Sequence, residues 1–111
     1  MTLREKQSLF LKNFALLILW AFEQGYEVTA GELLRTDQQH AWNIAHGKSK
    51  ADRSKHQDKL AGDLNLFIGG KYVTDSTAHA PLGKYWKSLH PQNRWGGDFK
   101  GFVDGNHYEM L

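Results

Sequence analysis

The chemistry open to this sequence rests on histidine and aspartate. Six histidines stand among 111 residues: His40, His46, His56, His79, His90 and His107. Two of them have carboxylates at usable spacing. Asp63 follows His56 by seven residues, and Asp104 precedes His107 by three. Cysteine is absent, which excludes disulfides, thiolate zinc fingers and a cysteine nucleophile. A zinc site here must therefore use His and carboxylate. Two His and one carboxylate leave the fourth zinc position for water, as catalytic sites require. Zinc brings the pKa of that water to about 7, and a nearby carboxylate can take its proton as it attacks a carbonyl. Spacing alone leaves the matter open. Each histidine taken singly reads more readily as a surface or packing residue, and a His with an acid three positions earlier is a common accident. The same ligand set also suits iron(II).

These residues need elements to position them. Ala61 to Ile68 alternates as a strand, with Leu64, Leu66 and Ile68 on one face and Ala61, Asp63, Asn65 and Phe67 on the other. Asp63 thus sits in a strand that otherwise reads as core. A buried carboxylate is costly unless it is paired or bound to metal; the alternative is a polar sheet face open to water. Gly69-Gly70 predicts a two-residue hairpin turn into a partner strand, Lys71 to Val73. His107 to Met110 reads as a last strand after a turn at Asp104-Gly105. Thr2 and Glu5 have capping-box spacing ahead of a helix over residues 3–24, whose inner stripe is Leu3, Phe10, Phe14, Leu17, Ile18 and Ala21. Tyr26 to Ala30 alternates as a short strand, and Thr36 with Gln39 opens a second helix to about His46. Residues 47–54 read as a polar loop. Asp75 or Ser76 caps a third helix through Leu89, its inner face Leu82, Tyr85, Trp86 and Leu89, and residues 90–97 read as a loop. Tyr72, Tyr85, Trp86 and Phe102 are assigned to the core. Mixed helices and antiparallel strands define the class as α+β, a small antiparallel sheet with flanking helices and the zinc site on the sheet.

Length and charge bound the rest. One domain of this size buries roughly two thirds of its unfolded surface, enough for a core without staples. Residues 1–111 are read as a single domain, acting as a monomer. The formal net charge is only +2, but Lys48, Lys50, Arg53, Lys55 and Lys59 lie close together. This run is either a solvated loop or a patch for an anionic polymer. Nucleic-acid binding is not expected, because no aromatic residue interleaves the cations. The apolar run from Phe14 to Phe22 is too short for a membrane span, which needs about 20 apolar residues, and no signal peptide is visible. Synthesis in the cytoplasm is expected.

The separated motifs also carry a resemblance. Ser54-Lys55-His56, Ala61-Gly62-Asp63-Leu64, Trp95-Gly96-Gly97-Asp98-Phe99 and Asp104-Gly105-Asn106-His107-Tyr108-Glu109 occur in order. Together they resemble the zinc D-alanyl-D-alanine carboxypeptidase family, in particular its phage endolysins of the L-alanyl-D-glutamate peptidase type. Gly31-Glu32, Arg35-Thr36 and Gln38-Gln39 match the family's early segment, so the resemblance spans about residues 26–110. It implies that His56, Asp63 and His107 bind Zn2+ and that Asp104 is the catalytic acid/base. It implies a role for Arg35 beside the scissile carbonyl as an oxyanion partner, against a surface salt bridge with Glu32. Ser54 matches a pocket position that contacts substrate or supports His56, against a plain loop hydrogen bond. Trp95 is read as a substrate-facing wall or a core anchor, and Asp98 as a hydrogen-bond partner of a ligand His or a loop cap. Two departures stand out. Many relatives have Gly where this chain has Lys59, and many use Glu where it has Asp104, which the endolysin branch tolerates. The implied function is zinc-dependent cleavage of the L-Ala–D-Glu bond in the peptidoglycan stem peptide, with lysis of bacterial cells, by a single catalytic domain over residues 1–111 without a separate wall-binding domain, made in a host cytoplasm and acting on the cell wall. The alternatives are a D-Ala-D-Ala carboxypeptidase and a non-catalytic zinc-containing wall-binding module.

Overall fold

The computed structural model describes residues 1–48 and 54–111. The middle of the basic run, with Lys50 and Arg53, and most of the expected 47–54 loop lie outside the described residues. Helix α1 spans Leu3–Glu23 and opens on the expected capping box: Thr2 Oγ1 accepts from Glu5 N, and Glu5 Oε1 accepts from Thr2 N. Strand β1 is Glu27–Ala30, helix α2 Asp37–Ala45, strand β2 Ala61–Ile68, strand β3 Lys71–Val73, helix α3 Ala80–Leu89, strand β4 Asn93–Trp95 and strand β5 His107–Met110. Among the described residues, no helix is long and apolar enough to cross a membrane.

The sheet is antiparallel in the order β1-β2-β5-β4, with β3 also on β2. The long strand β2 is its spine. β1 runs along one edge, and the other edge is shared by β5 at the start of β2 and β3 at its end. Gly69 and Gly70 turn the β2–β3 hairpin at φ 58° and 79°, the left-handed pair such a two-residue turn requires. Alternation holds along the middle of β2, whereas Ala61 at its start is buried and Ile68 at its end is exposed. Leu64 and Leu66 are buried, while Asp63, Asn65 and Phe67 are half-buried on the opposite face.

One face of the sheet is covered by α1 and α3. Phe10, Phe14, Leu17 and Ala21 form the buried stripe of α1, with Asn13 beside them. Phe10 stacks on Phe14 at 5.4 Å and meets Trp86 of α3 edge-on at 5.5 Å. Trp86 is fully buried, and its indole N–H points at the carbonyls of Arg94 and Glu109, 3.0 Å from each, tying α3 to both β4 and β5. Removing that ring would cost about 3–5 kcal/mol.

Several expectations are corrected. The third helix is split: Ser76–His79 is a 3-10 turn capped by Asp75, and α3 starts at Ala80 with Pro81 in its first turn, where proline is tolerated. Residues 93–95, expected as loop, form β4 against β5. Leu3 lies beyond the buried stripe and is exposed. Tyr72 and Phe102, assigned to the core, are 58% and 55% exposed. Tyr72 sits on the short outer strand β3, where its ring meets Phe67 at 5.3 Å, and Phe102 follows Gly101 at the border of the cleft.

Candidate metal centre

The sheet brings His56, Asp63 and His107 together from three separate segments. β2 and β5 are in register with Asp63 opposite His107, and both side chains leave the face away from the helices. Asp63 Oδ1 lies 3.1 Å from His107 Nδ1 and 3.3 Å from His56 Nε2. One donor atom from each residue lies within 4.8 Å of the others. Bonds of 2.0–2.2 Å to a tetrahedral zinc place neighbouring donors about 3.3 Å apart, so the cluster has the spacing to hold such an ion after small side-chain shifts.

His56 is carried by the turn that leads into β2. Ser54 Oγ accepts from the His56 backbone N–H at 3.2 Å, and Leu60 N donates to the Lys55 carbonyl at 2.9 Å. Lys59 closes this turn at φ 60°, a left-handed conformation that favours glycine. The departure at Lys59 therefore keeps the turn and places side-chain strain on it. His56 is 2% exposed, and its Nδ1 lies 3.1 Å from the Leu33 carbonyl. That carbonyl can only accept, so Nδ1 carries a proton, and Nε2 is the nitrogen turned toward Asp63 and open to a metal.

Asp104 stands in the turn before β5. Its N–H donates to the Gly96 carbonyl at 3.0 Å, and its own carbonyl accepts from His107 N at 3.1 Å. Gly105 N donates to Ser76 Oγ at 3.0 Å, and Trp95 Nε1 donates to the Gly105 carbonyl at 2.7 Å. A side chain at Gly96 would collide with the Asp104 carbonyl. This is the physical reason for glycine in that motif. Asp104 lines the same cleft as the three clustered residues. The cleft measures about 530 Å³ and is bordered by Glu32, Arg35, Ser54, Lys55, Arg94, Phe99 and Phe102.

The charges are coupled. Burial opposes charge on Asp63, but hydrogen bonds from His107 and His56 outweigh it and hold the carboxyl below its usual range. Burial likewise opposes charge on His107, yet its bonds to Asp63 and Glu109 prevail and its pKa is pushed up to about 9. Burial, reinforced by the Asp63 charge, pushes Asp104 upward. That is the direction in which a carboxylate becomes a better proton acceptor near neutral pH.

The remaining expected site residues are placed as follows. Arg35 lines the cleft and also forms the salt bridge weighed against its catalytic reading, donating from Nε to Glu32 Oε1 at 2.8 Å. Ser54 borders the cleft and supports the backbone of His56. Trp95 belongs to the core. It is 8% exposed, packs over Gly83 and Gly97, and does not border the cleft; the aromatic walls are Phe99 and Phe102. Asp98 does not reach a histidine of the cluster and is paired with Lys87 at 2.6 Å. The carboxylate that touches His107 from behind is Glu109, at 2.7 Å from Nε2. Sequence reasoning passed over it, although a residue two positions along a strand shares the face of His107. It also passed over Glu32, whose Oε1 lies 3.5 Å from His56 Nε2.

Fold and site thus define a small α+β domain with a His–Asp–His group able to hold a metal ion, as in a metallopeptidase. A sequence profile described as D-alanyl-D-alanine carboxypeptidase matches residues 47–110. The L-alanyl-D-glutamate peptidase of Listeria phage A118 is 35% identical over 96 residues, covering 85% of this chain and 34% of that protein. The L-Ala D-Glu endopeptidase ChiX of Serratia marcescens shares the fold, with a TM-score of 0.66 at 22% identity over 76% of this chain and 66% of the other. The chain therefore belongs to the D-alanyl-D-alanine carboxypeptidase family of metal-dependent peptidases, and spans about a third of the length of its phage relative.

Proposed function

We propose that this domain is a zinc-dependent endopeptidase that cuts the L-Ala–D-Glu bond of the peptidoglycan stem peptide and so lyses bacterial cells. The observation that carries this reading is the convergence of His56, Asp63 and His107 in a cleft that Asp104 also lines. His56 Nε2, Asp63 Oδ1 and His107 Nδ1 are the atoms that would hold the zinc. When bound, zinc polarises the scissile carbonyl and makes water a nucleophile at neutral pH. Asp104 accepts the proton of the attacking water and returns it to the amine of D-Glu as the amide breaks. Asp is one methylene shorter than Glu, and the pinned turn at Gly105 sets where that shorter carboxylate stands. Arg35 lines the cleft and bonds Glu32; in this reading its guanidinium stabilises the oxyanion. Ser54 keeps His56 in place and borders the substrate path. Lys48 and Lys55, also at the cleft, supply positive charge toward an anionic wall polymer. The domain acts as a monomer, made in a host cytoplasm and working on the wall.

The bond choice rests on the two peptidases of stated L-Ala–D-Glu specificity, whereas the family description favours D-Ala–D-Ala cleavage. Product analysis on purified stem peptide decides between them. A new amine on D-Glu supports the endopeptidase. Release of free D-alanine with the L-Ala–D-Glu bond intact overturns it in favour of the carboxypeptidase.

A further inference from the structure

Side chains on β5 alternate, so His107 and Glu109 share one face while Tyr108 and Met110 enter the core on the other. The registers add a residue from each neighbouring strand. Asp63 of β2 lies opposite His107, and Arg94 of β4 lies opposite Glu109. The outcome is one row across three strands: Asp63, His107, Glu109, Arg94. Each member has a separate bond to the next. His107 Nδ1 faces Asp63 Oδ1 at 3.1 Å, and His107 Nε2 faces Glu109 Oε1 at 2.7 Å. Arg94 donates to the other carboxylate oxygen, Glu109 Oε2, from Nε at 3.0 Å and also from Nη2.

The division of the two oxygens matters. Glu109 is only 5% exposed, and a buried carboxylate without a cation would be costly. Arg94 supplies the cation on one oxygen and leaves the other aimed at His107. A carboxylate can only accept, so Glu109 holds a proton on Nε2 and leaves Nδ1, whose own proton faces Asp63 in the metal-free protein, as the nitrogen from which a metal displaces a proton.

We propose that Glu109, clamped by Arg94, is a positioning residue of the metal centre that locks His107 in the Nε2–H tautomer with Nδ1 as the metal-binding nitrogen. This rests on the metal-centre reading above. Glu109 need not touch metal or substrate; it acts through His107, in the manner of the carboxylates that stand behind metal-bound histidines.

The informative variant is Glu109→Gln. Its amide oxygen is drawn to Arg94, which turns the NH2 toward His107 Nε2 and favours the proton on Nδ1, where the metal should bind. Zinc affinity is read by chelator competition, and the His107 tautomer by long-range 1H–15N NMR of the zinc-loaded wild type. The expected results are a 10–100-fold loss of zinc affinity for Glu109→Gln, a smaller loss for Arg94→Met, partial recovery for Arg94→Lys, and a protonated Nε2 on His107. Circular dichroism reports whether each variant is folded. If Glu109→Gln does not fold, Arg94→Met and the wild-type tautomer decide. Variants that bind zinc within twofold of wild type, or an unprotonated Nε2 in the loaded wild type, overturn the inference. A wild type that binds no zinc is a different failure, which removes the metal centre and this inference with it.

Discussion

Lowering the pH from 9 to 7 should weaken metal binding at this centre roughly fiftyfold. The reason lies in His107. In the metal-free protein its ring is bonded on both nitrogens to carboxylates, Asp63 and Glu109, and its pKa rises to about 9. A metal at Nδ1 must displace the proton held there. Relative to a fully deprotonated ring, the proton costs about 0.4 kcal/mol of apparent binding free energy at pH 9 and about 2.7 kcal/mol at pH 7, a difference of about 2.3 kcal/mol. An imidazole titrating at its ordinary 6.5 would subtract only about 0.2 kcal/mol at pH 7. Asp63 adds nothing to this dependence, because its carboxyl is held below the usual range and is already ionised. The assay is zinc titration calorimetry between pH 7 and 8.5 in pairs of buffers with different ionisation enthalpies. About one proton should be released per zinc at pH 7. Zinc uptake without proton release, or an affinity flat across this range, would refute the reasoning.

Other outcomes follow from the same geometry. The metal-free domain should lose stability on both sides of neutrality. The raised His107 pKa contributes stability that is complete below about pH 6.5 and disappears as pH rises through about 9, while the lowered Asp63 pKa contributes stability that is lost as pH falls below about 4; denaturant titrations with chelator present measure both limbs. Asp104→Asn should retain zinc but lower kcat by about 10²–10⁴-fold, and equal activity in steady-state assays would remove Asp104 from its proposed role. Lys59→Gly should raise stability by up to about 1 kcal/mol, because glycine accepts φ 60° without a Cβ clash; a lower melting temperature would show that Lys59 contributes contacts that outweigh its strain.

Much of the fold was legible where local pattern and tertiary environment agree. The alternation of β2, the glycine hairpin and the Thr2 and Thr36 caps all carry their signal within a few neighbouring residues. β4 was not legible. Its three residues, Asn93 to Trp95, lie close to Pro91 and two glycines, and it is a strand only because β5 pairs with it and Trp86 bonds the Arg94 carbonyl. Missing β4 also hid Arg94 and its partner Glu109. Tyr72 and Phe102 were misassigned to the core, and the two readings of Trp95 were left open, for a related reason. Composition does not say that α3 leaves room for Trp95 above Gly83, or that Tyr72 and Phe102 lie on exposed segments. Of the residues singled out for chemistry, the structure gathers His56, Asp63, His107 and Asp104 around one cleft, with Arg35 and Ser54 on its border. Trp95 and Asp98 point elsewhere because long-range packing and a lysine, rather than sequence neighbours, decide their partners.

The most direct test of a metal held by His56, Asp63 and His107 for stem-peptide cleavage is lysis of outer-membrane-permeabilised bacterial cells, followed as turbidity with metal content measured alongside. The wild type should clear the suspension and stop when a chelator strips its metal. It should recover with about one equivalent of zinc per chain, and His56→Ala should neither hold the ion nor lyse. Lysis that persists in chelator-treated, metal-free protein, or a His56→Ala variant as active as wild type, would contradict the account.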